Sequence, residues 1–215
     1  LPKPMLPVGD RPLLELLVDQ LRGAGIRRVQ LATHFKEEVI ANHFGDGRGF
    51  GVEIEYVEEH NPLGTAGALS LLKASEEPLL VVNGDILTRV DFRAMLDFHR
   101  EHQANMTVAV KKQEFQLPYG VVETDGVDIT NITEKPVVYH FVNAGIYLLN
   151  PEVCRLIPSV QRYDMPDLIG ELIRDGHRVV SFPVHEYWLD IGQHDDYQRA
   201  QLDHVEWNAE AGGAS

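Results

Sequence analysis

The chain has 215 residues, 44% hydrophobic and 24% charged, which is ordinary for a globular protein and enough for one α/β domain with a real core. Its 33 acidic side chains against 19 Lys and Arg give a net charge of −14, which argues against nucleic acid or an anionic membrane as the main partner. A phosphate-rich ligand would have to be met by a few placed cations and a metal ion.

Residues 1–8 carry prolines at 2, 4 and 7 and read as an extended loop. Pro12 suits the first turn of a helix, and Leu13, Leu14, Leu17, Val18 and Leu21 follow at helical spacing, with Gly23 and Gly25 able to end it. A strand is predicted over 28–33 and a helix over 36–44, with Val39, Ile40 and Phe44 facing inward. The glycine-rich run 45–51 precedes a strand at 52–57. A dinucleotide-binding loop needs a strand before it and a helix after it, and here the order is reversed, so the run reads as a flexible connection.

A loop at 58–63 leads into a helix opening at Gly64 and ending near Lys73. Residues 79–82 (LLVV) read as a strand buried on both faces, ended by Asn83-Gly84, so that Asp85 sits just past the carboxyl end of a central strand. That rim is where ligands bind in open α/β sheets. Asp91 caps a helix through His102, and 106–111 is the next strand. Strands near 30, 54, 81 and 108 thus alternate with helices, the signal of βαβ units and a parallel sheet.

The pattern then changes. Residues 120–124 and 129–134, around a turn at Asp125-Gly126, read as a β-hairpin lying over the ligand edge of the sheet. A strand at 142–149, helices at 151–157 and 166–175, a strand at 179–184 and a closing helix at 195–207 complete a domain spanning 1–208, with 209–215 a flexible tail. The one cysteine, Cys154, excludes an internal disulfide and fits a reducing, cytoplasmic setting; its apolar neighbours point to packing. No apolar run approaches a membrane span, and there are no internal repeats.

Two aspartates stand at turns after apolar runs, Asp85 and Asp190, the latter followed by Gly192. Two carboxylates on one ligand edge could share a Mg²⁺ ion, with waters and substrate phosphates completing its octahedron. Lys3 lies between Pro2 and Pro4, and Lys135 between Glu134 and Pro136; a lysine held beside proline offers a point charge at a defined place. His99 and His102 share a helix face without a third ligand and read as exposed polar residues. Neither a Gly-x-Ser-x-Gly elbow nor a Cys-x-x-Cys pair is present, so hydrolase and redox readings have no support.

A series of short motifs resembles the sugar-1-phosphate nucleotidylyltransferases (nucleotide-sugar pyrophosphorylases). In order they are Pro2-Lys3-Pro4, Leu63-Gly64-Thr65-Ala66, Asn83-Gly84-Asp85, Tyr119-Gly120-Val121-Val122-Glu123, Glu134-Lys135-Pro136, Asn143-Ala144-Gly145 and Trp188-Leu189-Asp190-Ile191-Gly192. The Leu-Gly-Thr-Ala-Gly stretch looks most like the mannose-1-phosphate guanylyltransferase branch. The resemblance implies a Rossmann-like three-layer α/β/α sandwich with a mostly parallel sheet. It also implies Mg²⁺-dependent transfer of a nucleoside monophosphate from an NTP to a sugar 1-phosphate, releasing pyrophosphate. Carried over position by position, Asp85 and Asp190 would hold the metal, Lys3 would meet the pyrophosphate and Lys135 the sugar phosphate. Glu134, Asn143 and the Gly120 backbone would bind sugar hydroxyls, while Gly64, Thr65 and Gly84 would line the nucleotide. Glu59 stands where uridylyl- and thymidylyltransferase relatives commonly carry Gln. A carboxylate accepts two hydrogen bonds side by side, which suits the adjacent donors of guanine and favours GTP.

The glycine-rich loop that in this family ends in Thr-Arg-Leu before the Pro-Lys-Pro segment, with the strand ahead of it, is not among these residues. The expectation is therefore that the sequence is part of a longer chain, in a family that often adds a further domain. Two other readings stand beside the first. One is a nucleotide-sugar-binding regulatory domain without turnover. The other is a glycosyltransferase of related fold, although such enzymes typically carry Asp-x-Asp where this chain has Asn83-Gly84-Asp85. The sequence leaves the sugar open and allows a homo-oligomer without fixing its size.

Overall fold

The computed structural model describes residues 1–33, 37–73, 75–159, 161–192 and 194–212, and for residues 194 and 206–212 the backbone alone. A 3₁₀ turn at Lys3–Met5 leads into the short pair β1 (Pro7–Val8) and β2 (Arg11–Pro12), then α1 (Leu13–Gly23) and β3 (Arg28–Thr33). Helix α2 is described over Glu37–Phe44; Lys36, expected to open it, lies outside the described residues. The glycine-rich run between α2 and β4 (Glu53–Glu58) is a built connection, with left-handed Gly45, Gly47 and Gly51 around a 3₁₀ turn and a hydrogen bond from Ile54 N–H to the Asp46 carbonyl.

The helix expected to run from Gly64 to Lys73 is a single turn, α3 (Gly64–Gly67), passing into a 3₁₀ turn at Ala68–Leu71. Then come β5 (Leu79–Val82), β6 (Ile86–Thr88), α4 (Phe92–Glu101), β7 (Met106–Gln116), β8 (Gly120–Asp125), β9 (Asp128–Glu134), β10 (Val137–Leu149), α5 (Pro151–Cys154), α6 (Met165–Arg174), β11 (Val179–Pro183), β12 (Trp188–Asp190) and α7 (His194–Gly212). Asp91 caps α4 as its position suggests, its carboxylate accepting from the N–H groups of Arg93 and Ala94. Helix α7 continues past the expected end at Trp207, and residues 213–215 lie outside the described part.

The sheets are small and mixed, which corrects the expectation of one mostly parallel sheet. The largest has four strands in the order β11-β7-β10-β5. Strand β10 runs antiparallel to both neighbours, while β11 is parallel to β7. Strands β5, β7 and β11 therefore do point the same way, as βαβ units demand. The reversed β10 lies between β5 and β7 because it returns from the hairpin alongside β7. Among the described residues β5 pairs with β10 alone and so lies at the edge of this sheet, and its four residues are half-buried instead of buried on both faces. Strands β3 and β4 form a separate parallel pair.

Side chains alternate across the sheet, as strand geometry requires. Ile146 and Leu148 join α1 and α4 through Leu17, Val18 and Met95 in one cluster. Tyr147 and Leu149 join α6 through Met165, Leu168 and Leu172 in another. Cys154 is half-buried against that second cluster, and burial pushes its thiol pKa up, which keeps it protonated. His99 is not the exposed residue its sequence suggests: it is 2% exposed. Helix α4 turns it towards β7, where its ring nitrogens meet Thr107 Oγ1 at 2.7 Å and Asn150 Oδ1 at 3.0 Å, so the burial leaves no lost hydrogen bond. His102 stacks on Phe98 with ring centroids 3.9 Å apart.

Candidate active site

Asp85 and Asp190 are brought together by a ladder the sequence reading did not contain. Strands β6 and β12 pair antiparallel, with Asp190 opposite Ile86, and the Ile191 N–H donates to the Asp85 carbonyl at 2.9 Å. Both carboxylates thus project from one short, rigid ribbon. Partial burial, then the charges of Asp85 and Asp196, push the Asp190 carboxyl above its usual pKa, with Lys3 acting in the opposite sense. This excess of negative charge suits a hard cation. No three Asp, Glu, His or Cys side chains are grouped as a metal site among the described residues, so an ion held by Asp85 and Asp190 would complete its shell with waters and phosphate oxygens.

Two further motifs close on this ribbon. Lys3 Nζ donates to the Gly192 carbonyl at 3.4 Å, and Pro4 packs so tightly on Gly84 that an added Cβ there would lie 3.2 Å from its ring. The close approach that Gly84 permits is thus to the proline segment. Gly145, with φ +68°, presses on Asn83, whose N–H donates to the Gly145 carbonyl at 2.9 Å. Trp188 Nε1 donates to the Ala144 carbonyl at 2.8 Å. Asn143 is fixed at both ends of its amide: Nδ2 donates to the Tyr147 hydroxyl at 2.8 Å and Oδ1 accepts from Gly145 N–H at 2.9 Å. Burial raises the Tyr147 pKa, so the phenol stays neutral.

Lys135, Glu134 and Gly120 form a second group. Strands β7 and β8 on one side, and β9 and β10 on the other, make one long antiparallel ribbon interrupted at 117–119 and 135–136. Across the interruption, Leu117 N–H donates to the Pro136 carbonyl and Lys135 N–H to the Tyr119 carbonyl, at 3.0 and 3.2 Å. Lys135 sits at this kink with φ +44°, a conformation that costs a non-glycine residue about 1–3 kcal/mol and recurs at functional sites. Gly120 pairs with Glu134, whose carboxylate occupies the space a Gly120 side chain would need.

Glu59, Gly64 and Thr65 form a third group, against the start of α6. Glu59 Oε2 accepts from Leu63 N–H at 2.9 Å, bracing the loop between them. Gly64 has φ +78°, and a Cβ there would collide with the Asp164 carboxylate. Thr65 N–H donates to Asp164 Oδ1 at 3.0 Å and holds the Asp164 carboxyl below its usual pKa; Thr65 Oγ1 accepts from Met165 N–H at 2.7 Å. These three residues therefore have packing work of their own. Asp196 is the charged neighbour that sequence reasoning missed: it lies in the first turn of α7, where an acid ordinarily reads as a partner of the helix dipole.

A family model for nucleotidyl transferases matches residues 1–206. The chain belongs to the nucleotidyl transferase family. It is 35% identical over 216 residues to a mannose-1-phosphate guanylyltransferase of Mycobacterium tuberculosis, covering 95% of this chain and 59% of that one. It is 34% identical over 208 residues to a D-glycero-alpha-D-manno-heptose 1-phosphate guanylyltransferase of Aneurinibacillus thermoaerophilus, covering 94% of this chain and 88% of that one. The chain thus spans little more than half the length of the mannose-1-phosphate relatives. Among solved structures, HddC from Yersinia pseudotuberculosis, solved also with GMP-PN, shares the fold with a TM-score of 0.74 at 22% identity, covering 94% of this chain and 90% of that one. Family membership accounts for the order of the motifs and leaves the glycosyltransferase reading without support.

Proposed function

We propose that this nucleotidyl transferase moves a nucleoside monophosphate, by preference GMP, from its triphosphate to a sugar 1-phosphate. The observation that carries the reading is the convergence of Lys3, Asp85 and Asp190, from three distant stretches of the chain, on one ribbon. The guanylyl preference draws support from the names of the relatives and from the carboxylate at Glu59.

In-line displacement at phosphorus needs alignment and neutralised charge, and it needs no protein nucleophile. The attacking phosphate is already ionised, so no strong general base is needed either. Lys3 neutralises the departing pyrophosphate, and Lys135 neutralises the sugar phosphate near the α-phosphorus, where charge grows in the transition state. Glu134, Asn143 and the Gly120 backbone hold sugar hydroxyls. Asn143 retains one amide proton beyond its bond to Tyr147 for that purpose. Gly64, Thr65, Gly84 and Glu59 border the nucleotide. Asp85 and Asp190 would hold a Mg²⁺ ion, which would supply positive charge to neutralise the substrate phosphates.

The test is pyrophosphate release by the full-length protein across a panel of NTPs and sugar 1-phosphates with Mg²⁺. Release with GTP and at least one hexose or heptose 1-phosphate supports the reading. Nucleotide-sugar binding without release from any pair would replace it with the regulatory one.

A further inference from the structure

The segment that carries Lys3 is held from the far end of the chain. Tyr197 Oη donates to the Pro7 carbonyl at 2.6 Å, and Gln201 Nε2 donates to the same oxygen. Gln201 Oε1 accepts from Gly9 N–H at 2.9 Å. One side-chain amide thus grips two backbone groups of the same turn, as a neighbouring strand would. His204 adds steric closure: Gly9 has φ +64°, and a Cβ there would lie 2.6 Å from the imidazole. Residues 197, 201 and 204 lie on one face of α7, at spacings of four and three. The helix is itself anchored next to β12, where Tyr187 Oη donates to Asp203 Oδ2 at 2.5 Å.

We propose that α7 is a positioning strap for Lys3, in which Gln201 and Tyr197 hold the backbone of residues 7–9 so that the lysine stands beside Asp85 and Asp190. The link from clamp to lysine is short and stiff. Pro2, Pro4 and Pro7 fix φ at three of six consecutive residues, and the 3₁₀ turn Lys3–Met5 is closed by Leu6 N–H on the Lys3 carbonyl at 3.0 Å. Slack at Pro7 therefore moves Lys3, whose own ammonium meets the Gly192 carbonyl two residues before α7 begins. Both the backbone and the charged tip of the Lys3 segment are set by the same helix and its lead-in. Tyr197 and Gln201 touch no substrate in this scheme; they act through Lys3.

The inference rests on the pyrophosphate role proposed for Lys3, and binding of inorganic pyrophosphate with Mg²⁺ to the full-length protein tests it without requiring turnover. Calorimetry on wild type, Lys3→Ala, Gln201→Ala and the double variant forms a double-mutant cycle. The expected result is a roughly tenfold loss of affinity for Gln201→Ala, with no further loss when it is added to Lys3→Ala. Gln201→Glu should be as weak, because a carboxylate accepts from Gly9 but turns an oxygen on the Pro7 carbonyl. Should Gln201→Ala not fold, Tyr197→Phe removes one clamp bond and keeps the ring; it should weaken binding in the same non-additive way. Wild-type affinity in these variants, or losses that add to that of Lys3→Ala, would overturn the strap. Failure of the catalytic reading shows separately, as absence of pyrophosphate release from every substrate pair.

Discussion

At the scale of single residues, the site is under electrostatic tension. Asp190 has its pKa raised by partial burial and by the charges of Asp85 and Asp196. A carboxyl whose pKa is higher folded than unfolded costs stability where it is ionised, and the cost vanishes below the unfolded pKa of about 3.9. Asp190→Asn should therefore raise the thermal midpoint at pH 7 in the presence of a chelator, with the gain shrinking as the pH falls towards 4. The same variant should lose Mg²⁺-dependent turnover, as should Asp85→Asn, since an amide is the poorer Mg²⁺ ligand. A midpoint at or below wild type at pH 7 would remove the repulsion from the description.

Lys135 carries its charge on a backbone held at φ +44°. Alanine is no better suited to that conformation than lysine, so Lys135→Ala should leave the melting curve nearly in place. Its kcat should fall by roughly 10²-fold or more, because charge at the reacting phosphates is met most strongly in the transition state. A rise in KM for the sugar phosphate at constant kcat would reduce Lys135 to a binding group.

Glu59 can be tested cleanly because its loop contact survives the change. The amide oxygen of Glu59→Gln can still accept the Leu63 N–H. If the carboxylate reads guanine, the ratio of kcat/KM for GTP over UTP should drop by about tenfold. An unchanged ratio would place base recognition elsewhere.

At the scale of elements, the site is assembled by short, irregular pieces that packing fixes. Gly145 lets the bulged part of β10 lie against the turn that carries Asp85: its φ is +68°, and an added Cβ would sit 2.6 Å from Asn83 Nδ2 and 2.7 Å from Ile86 Cδ1. Gly145→Ala should cost about 2–3 kcal/mol and lower the thermal midpoint by roughly 5–10 °C. Gly126→Ala is the control. Gly126 shares the positive φ at +60° but has no neighbour within 4 Å, so only the backbone term of about 1 kcal/mol remains. Equal losses in the two would mean that contact with Asn83 contributes nothing.

These same elements show what could be read in the sequence. The hairpin strands were legible because an Asp-Gly turn between two stretches rich in β-branched residues marks them locally, and β8 and β9 run where that places them. Strand β6 was not legible: Ile86–Thr88 is three residues long, and only its pairing with Trp188–Asp190 makes it a strand. The reversal of β10 was hidden because an apolar run carries no direction. His99 looked polar and exposed because its partners, Thr107 and Asn150, lie on other elements. The grip of Gln201 on residues 7–9 spans almost the whole chain, beyond any local pattern.

At the scale of the whole molecule, one family's motifs are folded into three groups, the first two joined through β10. Lys3 reaches the lead-out of the aspartate ribbon, the Lys135 kink lies on the β7–β10 ribbon, and the Glu59–Thr65 loop is docked on α6. Among the described residues no helix is long and apolar enough to cross a membrane. On the proposed reading, Lys3 and Lys135 supply the local positive charge that a chain with net charge −14 needs in order to take phosphates. The most direct measurement is transfer of label from [α-³²P]GTP by the full-length protein with sugar 1-phosphates and Mg²⁺. The expected result is label in a new nucleotide sugar, dependent on both substrates and lost in Asp85→Asn. Label that stays in GTP with every sugar phosphate, or that transfers equally well in Asp85→Asn, would contradict the proposal.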